Sequence, residues 1–257
     1  MADPDVTGAA APADAREADA AALEAFLDKW RARWPEWAIA EVFVPAAERG
    51  RALAWAALLQ ELGDAAWGGE DPRPGLAKLG WWQEELQGWG RGVRRHPLGI
   101  VLQRVPAPWA GLAAALDSLP ASRERPGDVE EAFAGVAPFA RAAAGVEQAL
   151  FGVADDADPP QPDQAEDALM AAWLLQSRFL HGNDAHVPLE LLAAAGEGDA
   201  VKGWAAALCR RWPPAVSRHR PRRLWSALAL GRLGAGRPGQ PLSGWSTLWR
   251  SWRAARG

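Results

Sequence analysis

Two short polar segments contain side chains that commonly bind metal ions. The first, ADDADPPQPD, holds a run of aspartates, and the second, HGNDAH, holds two histidines and an aspartate. The candidate ligands are Asp155, Asp156, Asp158, His181, Asp184 and His186. Carboxylates bind magnesium and imidazoles bind zinc, but neither spacing matches a strong ligand signature. We therefore interpret both segments as surface or structural loops.

Two other patterns could indicate reactive chemistry. Gly234, Gly236 and Gly239 spell GxGxxG, but no predicted strand precedes them and too little chain follows for a βαβ unit, which argues against nucleotide binding. Cys209 is the only cysteine and follows two apolar residues, so we expect a buried, inert thiol. A single cysteine also excludes an internal disulfide.

The segment 76–102, LAKLGWWQEELQGWGRGVRRHPLGIVL, contains a more specific motif. It combines a cation and leucine, an aromatic pair, an acid pair and a His-Pro step before a second apolar helix. These features are carried by Lys78, Leu79, Trp81, Trp82, Glu84, Glu85, Leu86, His96 and Pro97. On these residues the segment resembles the squalene and phytoene synthase family.

Two further segments extend the resemblance. The segment 45–67 is similar to the helix on which the family carries its first aspartate-rich motif. The segment 169–196 is similar to the helix of the second motif and the Leu-Pro-Leu stretch after it, here Val187, Pro188 and Leu189. The three matches follow the family's order over about residues 45–196.

The resemblance implies an isoprenoid synthase fold and magnesium-dependent chemistry on prenyl diphosphates. Magnesium bridges carboxylates to substrate phosphates, and acids one turn apart share a helix face. At the three acid positions of the first motif this chain has Gly63, Asp64 and Trp67, with Gln60 where the family has an arginine. Only one acid of the first motif remains.

The second motif is also incomplete. Arg178 is followed by Phe179 where the family has an aspartate, and the interval to Pro188 is about four residues shorter than in the family. Asp184 is the one acid that remains, and the chain has no tyrosine. One acid per motif is too few to hold a cluster of divalent ions against two diphosphates.

We therefore expect a synthase-like protein without prenyl transferase activity, acting as a binding or assembly protein and needing no cofactor. The candidate cavity residues are Gln60, Asp64, Trp67 and Arg178, with Asp64 as the degenerate metal ligand. Asp64 and Arg178 should face one cavity, within roughly 15 Å of each other. Alternatives are an active transferase with an altered, magnesium-binding site, and an unrelated helical fold.

Composition favours an all-α, single-domain bundle. The chain has 257 residues, 49% of them hydrophobic, with alanine and leucine dominant and few β-branched residues. We predict a disordered tail over 1–16 and one helical domain over 17–257, located in the cytoplasm. The 16 tryptophans are consistent with codon bias, or with an aromatic cavity for prenyl chains that would include Trp55, Trp67, Trp81 and Trp82.

Hydrophobic periodicity and proline breaks place the helices. One apolar stripe runs through Ala52, Trp55, Leu59, Leu62 and Ala66. The predicted helices span about 17–34, 45–67, 76–89, 98–119, 128–152, 164–180, 199–212, 221–233 and 242–255. Pro106 and Pro108, among other prolines, mark breaks.

Charge is unevenly distributed along the chain. Residues 200–257 contain 12 Lys and Arg and no acid. This cationic part either lies against the acidic remainder or binds an anionic partner such as a lipid surface or a diphosphate. Nothing resembles a nucleic-acid-binding module, and the sequence names no protein partner.

The last segment, 242–257, is predicted to form an amphipathic helix. Trp245, Leu248, Trp249 and Trp252 recur at helical spacing, with Arg250, Arg253 and Arg256 on the flank. The stripe either packs against the bundle as its last helix or lies in the headgroup layer of an anionic membrane, at its inner face. A prenyl or lipid ligand is the corresponding small-molecule expectation.

Overall fold

The computed structural model describes residues 11–152, 163–181, 186–196 and 198–257, with side chains described from residue 17 onward. These residues form helices and short 3-10 turns and contain no strand, which confirms the all-α class. The helices are α1 (Ala11–Arg33), α2 (Trp37–Ala40), α3 (Arg49–Trp67), α4 (Pro72–Trp89), α5 (Gly99–Leu102), α6 (Trp109–Ala115), α7 (Val129–Phe151), α8 (Gln164–Ser177), α9 (Leu189–Ala195), α10 (Ala200–Arg211), α11 (Arg220–Gly234) and α12 (Gly244–Arg256). The 3-10 turns are Glu41–Phe43, Leu116–Ser118, Ala121–Arg123 and Arg178–His181.

Several helices begin where a short polar side chain caps them. Asp71, Asp128, Asp163, Asp199 and Ser243 precede α4, α7, α8, α10 and α12, and each accepts a hydrogen bond from a backbone N–H two or three residues later. Such a cap satisfies one of the backbone donors that a helix start leaves without a partner. Local sequence thus fixes where these helices begin.

Helix α3 lies at the centre of the bundle. Every residue from Ala52 to Trp67 is buried except Asp64, so the helix is covered on all sides rather than along the predicted stripe alone. Helices α1, α4 and α5 and the turn Arg178–His181 contact it. Asp64 is therefore the one residue between Ala52 and Trp67 that is only partly buried.

The remaining helices continue the bundle by successive pairwise contacts. Helix α4 packs on α6, α6 on α7, α7 on α8, and α11 on α8, α10 and α12. Helix α12 also contacts α2, which joins the end of the chain to its beginning. One hydrophobic cluster runs through the bundle, from Leu27 to Leu233.

The predicted helix boundaries differ from the structure in a few places. The expected helix 98–119 is divided into α5 and α6, because Pro106 and Pro108 interrupt it. Helix α8 ends at Ser177, so Arg178 lies in the following 3-10 turn. Helices α2 and α9 were not predicted, since four and seven residues are too short to give a periodic pattern.

The predicted tail over 1–16 overlaps the structure only in part. Helix α1 begins at Ala11, so its first residues belong to the segment that we expected to be a tail. Residues 1–10 lie outside the described residues, as do Asp155, Asp156, Asp158 and Asp184. The isoprenoid synthase type of bundle stays a prediction.

Candidate functional site

The predicted site residues come from two segments that meet in the structure. Gln60, Asp64 and Trp67 lie on α3, and Arg178 lies in the 3-10 turn that packs against it. His181 Nε2 of this turn lies 3.8 Å from Asp64 Oδ1. The guanidinium carbon of Arg178 lies 5.3 Å from the centroid of the Trp67 ring. The resemblance therefore selected residues that belong to one cluster.

Asp64 is enclosed by cations from α1. Its carboxylate accepts a hydrogen bond of 2.8 Å from Arg33 Nη1, and Lys29 Nζ lies 3.3 Å from its other oxygen. The amide oxygen of Gln60, in the orientation that satisfies its neighbours, accepts from Arg33 Nε at 2.8 Å. Two cationic side chains of the protein thus occupy the surroundings of the one acid that was expected to bind metal.

Glu61 is a second acid of this cluster, which the family motif did not select. It accepts hydrogen bonds of 2.5 Å from both Lys29 and Lys78, and Lys29 thereby bridges Glu61 to Asp64. Burial raises the pKa of Glu61, but the hydrogen bonds from the two lysines outweigh burial and hold its pKa below the usual range. The i, i+3 spacing of Glu61 and Asp64 was the sequence signal for this pair.

Arg178 and Trp67 form the second half of the cluster. Trp67 donates its Nε1–H to Ser122 Oγ at 3.0 Å, which fixes the ring beneath the guanidinium. Arg178 donates to His186 Nδ1, and burial lowers the pKa of Arg178 to about 9. Burial is also the main reason that the pKa of His186 is lowered to about 3. Both side chains are engaged with the protein.

The space between these residues is small. The cavity lined by Arg33, Gln60, Asp64 and His181 has a volume of about 10 Å³. This volume corresponds to about one water molecule. Gln60 and Asp64 line this cavity but Trp67 and Arg178 do not, and it has no room for a diphosphate.

The expectation of an aromatic cavity is wrong for three of the four tryptophans that were expected to line it. Trp55, Trp67 and Trp82 are fully buried in the packed core. The Nε1–H of Trp55 donates to Glu147 at 2.7 Å. Only Trp81 is substantially exposed. The three buried rings fill space between helices of the core.

One member of the acid pair Glu84 and Glu85, in the segment 76–102, has a structural role. Glu85 is buried and accepts hydrogen bonds from Trp89 Nε1 and from the backbone N–H groups of Arg95 and His96, at 2.7 to 2.8 Å. Burial raises the pKa of Glu85, but these hydrogen bonds outweigh it and lower the pKa. Glu85 thus holds the turn before Pro97 in place.

Within the described residues, no group of three His, Cys, Asp or Glu side chains is arranged to hold a metal ion. His181 and His186 of the candidate loop are turned toward Asp64 and Arg178 respectively. In the same part of the chain, no helix is long and apolar enough to cross a membrane.

The predicted C-terminal helix forms, and it docks on the bundle through the face opposite to its tryptophan stripe. Thr247 and Ser251 are buried against the bundle, and Thr247 Oγ1 donates to Ser243 O at 2.9 Å. The tryptophan stripe faces solvent: Trp245 is 84% exposed, Trp249 59% and Leu248 40%. Of the two arrangements that the sequence left open, packing of this stripe against the bundle is contradicted.

Close contact between α11 and α12 explains this orientation. A Cβ on Gly231 of α11 would lie 2.7 Å from Leu242 Cδ1 and 2.8 Å from Arg250 Cδ, so the absent side chain leaves room for both. Small residues on the facing side of α12 complete the close approach, and large indoles would not fit there. The backbone N–H of Leu242 also donates to Glu36 Oε1 at 2.9 Å.

Comparison of the chain with protein-family models, with curated proteins and with solved structures gave no match.

Proposed function

We propose that this protein is a squalene/phytoene synthase-like helical protein that does not transfer prenyl groups and that binds anionic membrane surfaces through α12. The observation that carries the proposal is the orientation of α12, which docks through small polar residues and leaves Trp245 and Trp249 in solvent. Its expected location is the cytoplasm, peripheral to the inner face of the membrane.

The closed cluster around Asp64 supports the absence of transferase activity. A diphosphate bound through magnesium needs free carboxylate oxygens and space for both groups. Here Arg33 and Lys29 neutralise Asp64, and the neighbouring space holds about 10 Å³. Opening this space would require Arg33 and Lys29 of α1 to break their contacts with Asp64 of α3.

The exposed apolar stripe supports a membrane-binding role. A soluble surface rarely leaves large apolar side chains grouped together without a partner. Trp245, Leu248 and Trp249 are exposed on one side of α12, and Trp252 stacks on Trp249 with ring centroids 5.0 Å apart. Indoles at this spacing favour the layer between headgroups and acyl chains.

The charge of α12 indicates which kind of lipid surface the helix binds. Arg253 and Arg256 are exposed on the same helix, and the guanidinium of Arg256 lies 3.8 Å from the centroid of the Trp252 ring. The absence of acids from residues 200–257 leaves this end of the molecule cationic. Each arginine near an anionic bilayer contributes roughly 1 kcal/mol, so an anionic lipid surface is the favoured partner.

Vesicle sedimentation tests this proposal. The protein is expected to sediment with phosphatidylglycerol-containing vesicles but not with pure phosphatidylcholine vesicles, and added salt should weaken the association. The double variant Trp245→Gln, Leu248→Gln should lose most binding while it stays folded, because both side chains face solvent. Equal binding by this variant, or indifference of the intact protein to anionic vesicles, would overturn the proposal.

A matched control comes from another part of the surface. Leu76 on α4 is 46% exposed, which is similar to the 40% of Leu248, and it lies outside α12. Leu76→Gln should therefore leave vesicle binding unchanged. Deletion of residues 242–257 is a poor test, since it would also remove the buried Thr247 and Ser251 and unfold part of the bundle.

A further inference from the structure

A large groove borders α12. It lies between α11, α12 and the segment 212–217 and has a volume of about 920 Å³. That volume is within the usual range of ligand-binding sites. We call it the C-terminal groove.

Part of the groove lining is apolar. Leu169 of α8, Trp212, Val216, Leu230 and Trp249 contribute to it. Trp249 also belongs to the exposed stripe of α12, so the groove opens beside the face that we propose to contact the membrane. An apolar chain that left the headgroup layer could enter the groove here without crossing open water.

The lining of the groove also includes four arginines. They are Arg223, Arg250, Arg253 and Arg256, and no acidic side chain lines the groove. Arginine donates in a planar fork that matches phosphate oxygens, and it is favoured wherever phosphate is bound with defined geometry. Arg250 is held in place at Nε by Ser246 Oγ at 3.2 Å, which leaves its terminal nitrogens for a ligand.

Two buried polar groups at the groove have no partner within the described structure. Ser226 is only 9% exposed, and its Oγ makes no hydrogen bond. The Nε of Arg223 is likewise buried without an acceptor, although Nη1 donates to Ser217 O at 3.4 Å. Neither atom is accessible to solvent, so a ligand in the groove would bind the arginine side chains that line it rather than these two atoms.

We propose that the C-terminal groove binds one phosphate-bearing amphiphile, with the phosphate at Arg223, Arg250 and Arg253 and the apolar chain along Trp212 and Leu230. This inference rests on the proposed membrane surface for its source, because the groove opens at that face. The lining requires both parts of such a ligand: an anion for the arginines and an apolar chain for the apolar side chains.

Alkylation of Cys209 reports whether the groove is occupied. It is the only cysteine of the chain, and it lines the groove. Burial raises the pKa of the Cys209 thiol, so its alkylation by N-ethylmaleimide should be slow and sensitive to an occupant. Protection of this thiol measures filling of the groove rather than contact of α12 with a surface.

The experiment uses the intact protein and soluble, monomeric probes. Dihexanoyl phosphatidic acid should slow Cys209 alkylation at least about tenfold at saturation. Dihexanoyl phosphatidylcholine and inorganic phosphate should do so only at concentrations at least about tenfold higher, which corresponds to about 1.4 kcal/mol of binding free energy. Equal protection by inorganic phosphate would contradict an amphiphile site, and no protection by phosphatidic acid would overturn the proposal.

Variants locate the site. Arg223→Gln and Arg253→Gln should each weaken phosphatidic acid binding about tenfold or more, while Ala227→Leu should block the groove without changing charge. Arg104→Gln removes an exposed arginine outside the groove and should have no effect. Circular dichroism checks that each variant is folded, and unchanged binding by both Arg223→Gln and Ala227→Leu would contradict the site.

The outcomes separate this inference from the proposed function. If vesicles bind but soluble phosphatidic acid does not protect Cys209, the groove proposal fails alone. If phosphatidic acid protects Cys209 but vesicles do not bind, the membrane surface fails and the groove serves a soluble amphiphile.

Discussion

The guanidinium of Arg222 on α11 donates to both carboxylate oxygens of Glu147 on α7, at 2.9 Å from Nε and 2.5 Å from Nη2. Both side chains are almost fully buried. The indoles of Trp173 and Trp225 lie about 5 Å from the guanidinium carbon. A charged pair of this kind connects α7 to α11 in the centre of the protein.

Breaking this pair should strongly destabilise the fold. Glu147→Gln keeps the shape but leaves Arg222 charged and buried, and we expect a loss of about 3–5 kcal/mol in the free energy of unfolding, measured by urea denaturation. Glu130→Gln on the exposed start of α7, which faces Arg211 at 3.7 Å, should change stability by less than about 0.5 kcal/mol. Similar losses in the two variants would contradict the pair's structural role.

Two glycines of α4 should respond in opposite ways to alanine. A Cβ on Gly75 would lie 2.2 Å from the carbonyl oxygen of Ala65, so Gly75→Ala must push α4 away from α3, at a cost of about 2–3 kcal/mol. A Cβ on Gly80 meets nothing within 4 Å, and Gly80→Ala should stabilise the helix by about 0.5–1 kcal/mol. Thermal unfolding of both variants checks the sign as well as the size.

Stability should fall on acidification because His96 is buried in its neutral form. Its ring lies against Phe26 and Trp82, its Nδ1 accepts from the backbone N–H of Leu98 at 3.2 Å, and burial lowers its pKa from 6.5 to about 4. Between pH 6.5 and 4 the unfolded chain therefore binds a proton that the folded chain does not. This favours unfolding by about 1.4 kcal/mol per pH unit.

The variant His96→Asn isolates this contribution. Asparagine retains an acceptor but has no proton to gain, so the slope of stability against pH between 6.5 and 4 should decrease. The buried His181, whose pKa burial also lowers to about 4, contributes in the same direction and leaves a residual slope. An unchanged slope in His96→Asn would show that His96 is protonated in the folded protein.

We expect no magnesium-dependent release of pyrophosphate from farnesyl or geranylgeranyl diphosphate. Asp64 is paired with Arg33, and Gly63 and Trp67 supply no further carboxylate. Restoring acids with Gly63→Asp and Trp67→Asp should not create activity, since Arg178 would still be held at His186. A phosphate-release assay is the measurement, and turnover that Asp64→Asn abolishes would establish the transferase alternative.

The sequence alone determined the helical class and several helix starts, but not the short helices α2 and α9. Helix class follows from composition and periodicity, and helix starts follow from capping residues such as Asp128 and Ser243, because both depend on near neighbours in the chain. The similarity of the motifs also selected Asp64, Trp67 and Arg178, which do lie together.

Tertiary structure decided what these residues do. Arg33 and Lys29 lie about 31 and 35 positions before Asp64, and no local pattern indicates that they neutralise it. The sequence of α12 alone also did not determine which of its faces docks, since an amphipathic helix has two distinct faces and either one can be buried. Gly231, on another helix, decides it by leaving room for Leu242 and Arg250 and so admitting the small polar face of α12. Which side of α12 is buried is thus a property of the surface that receives it.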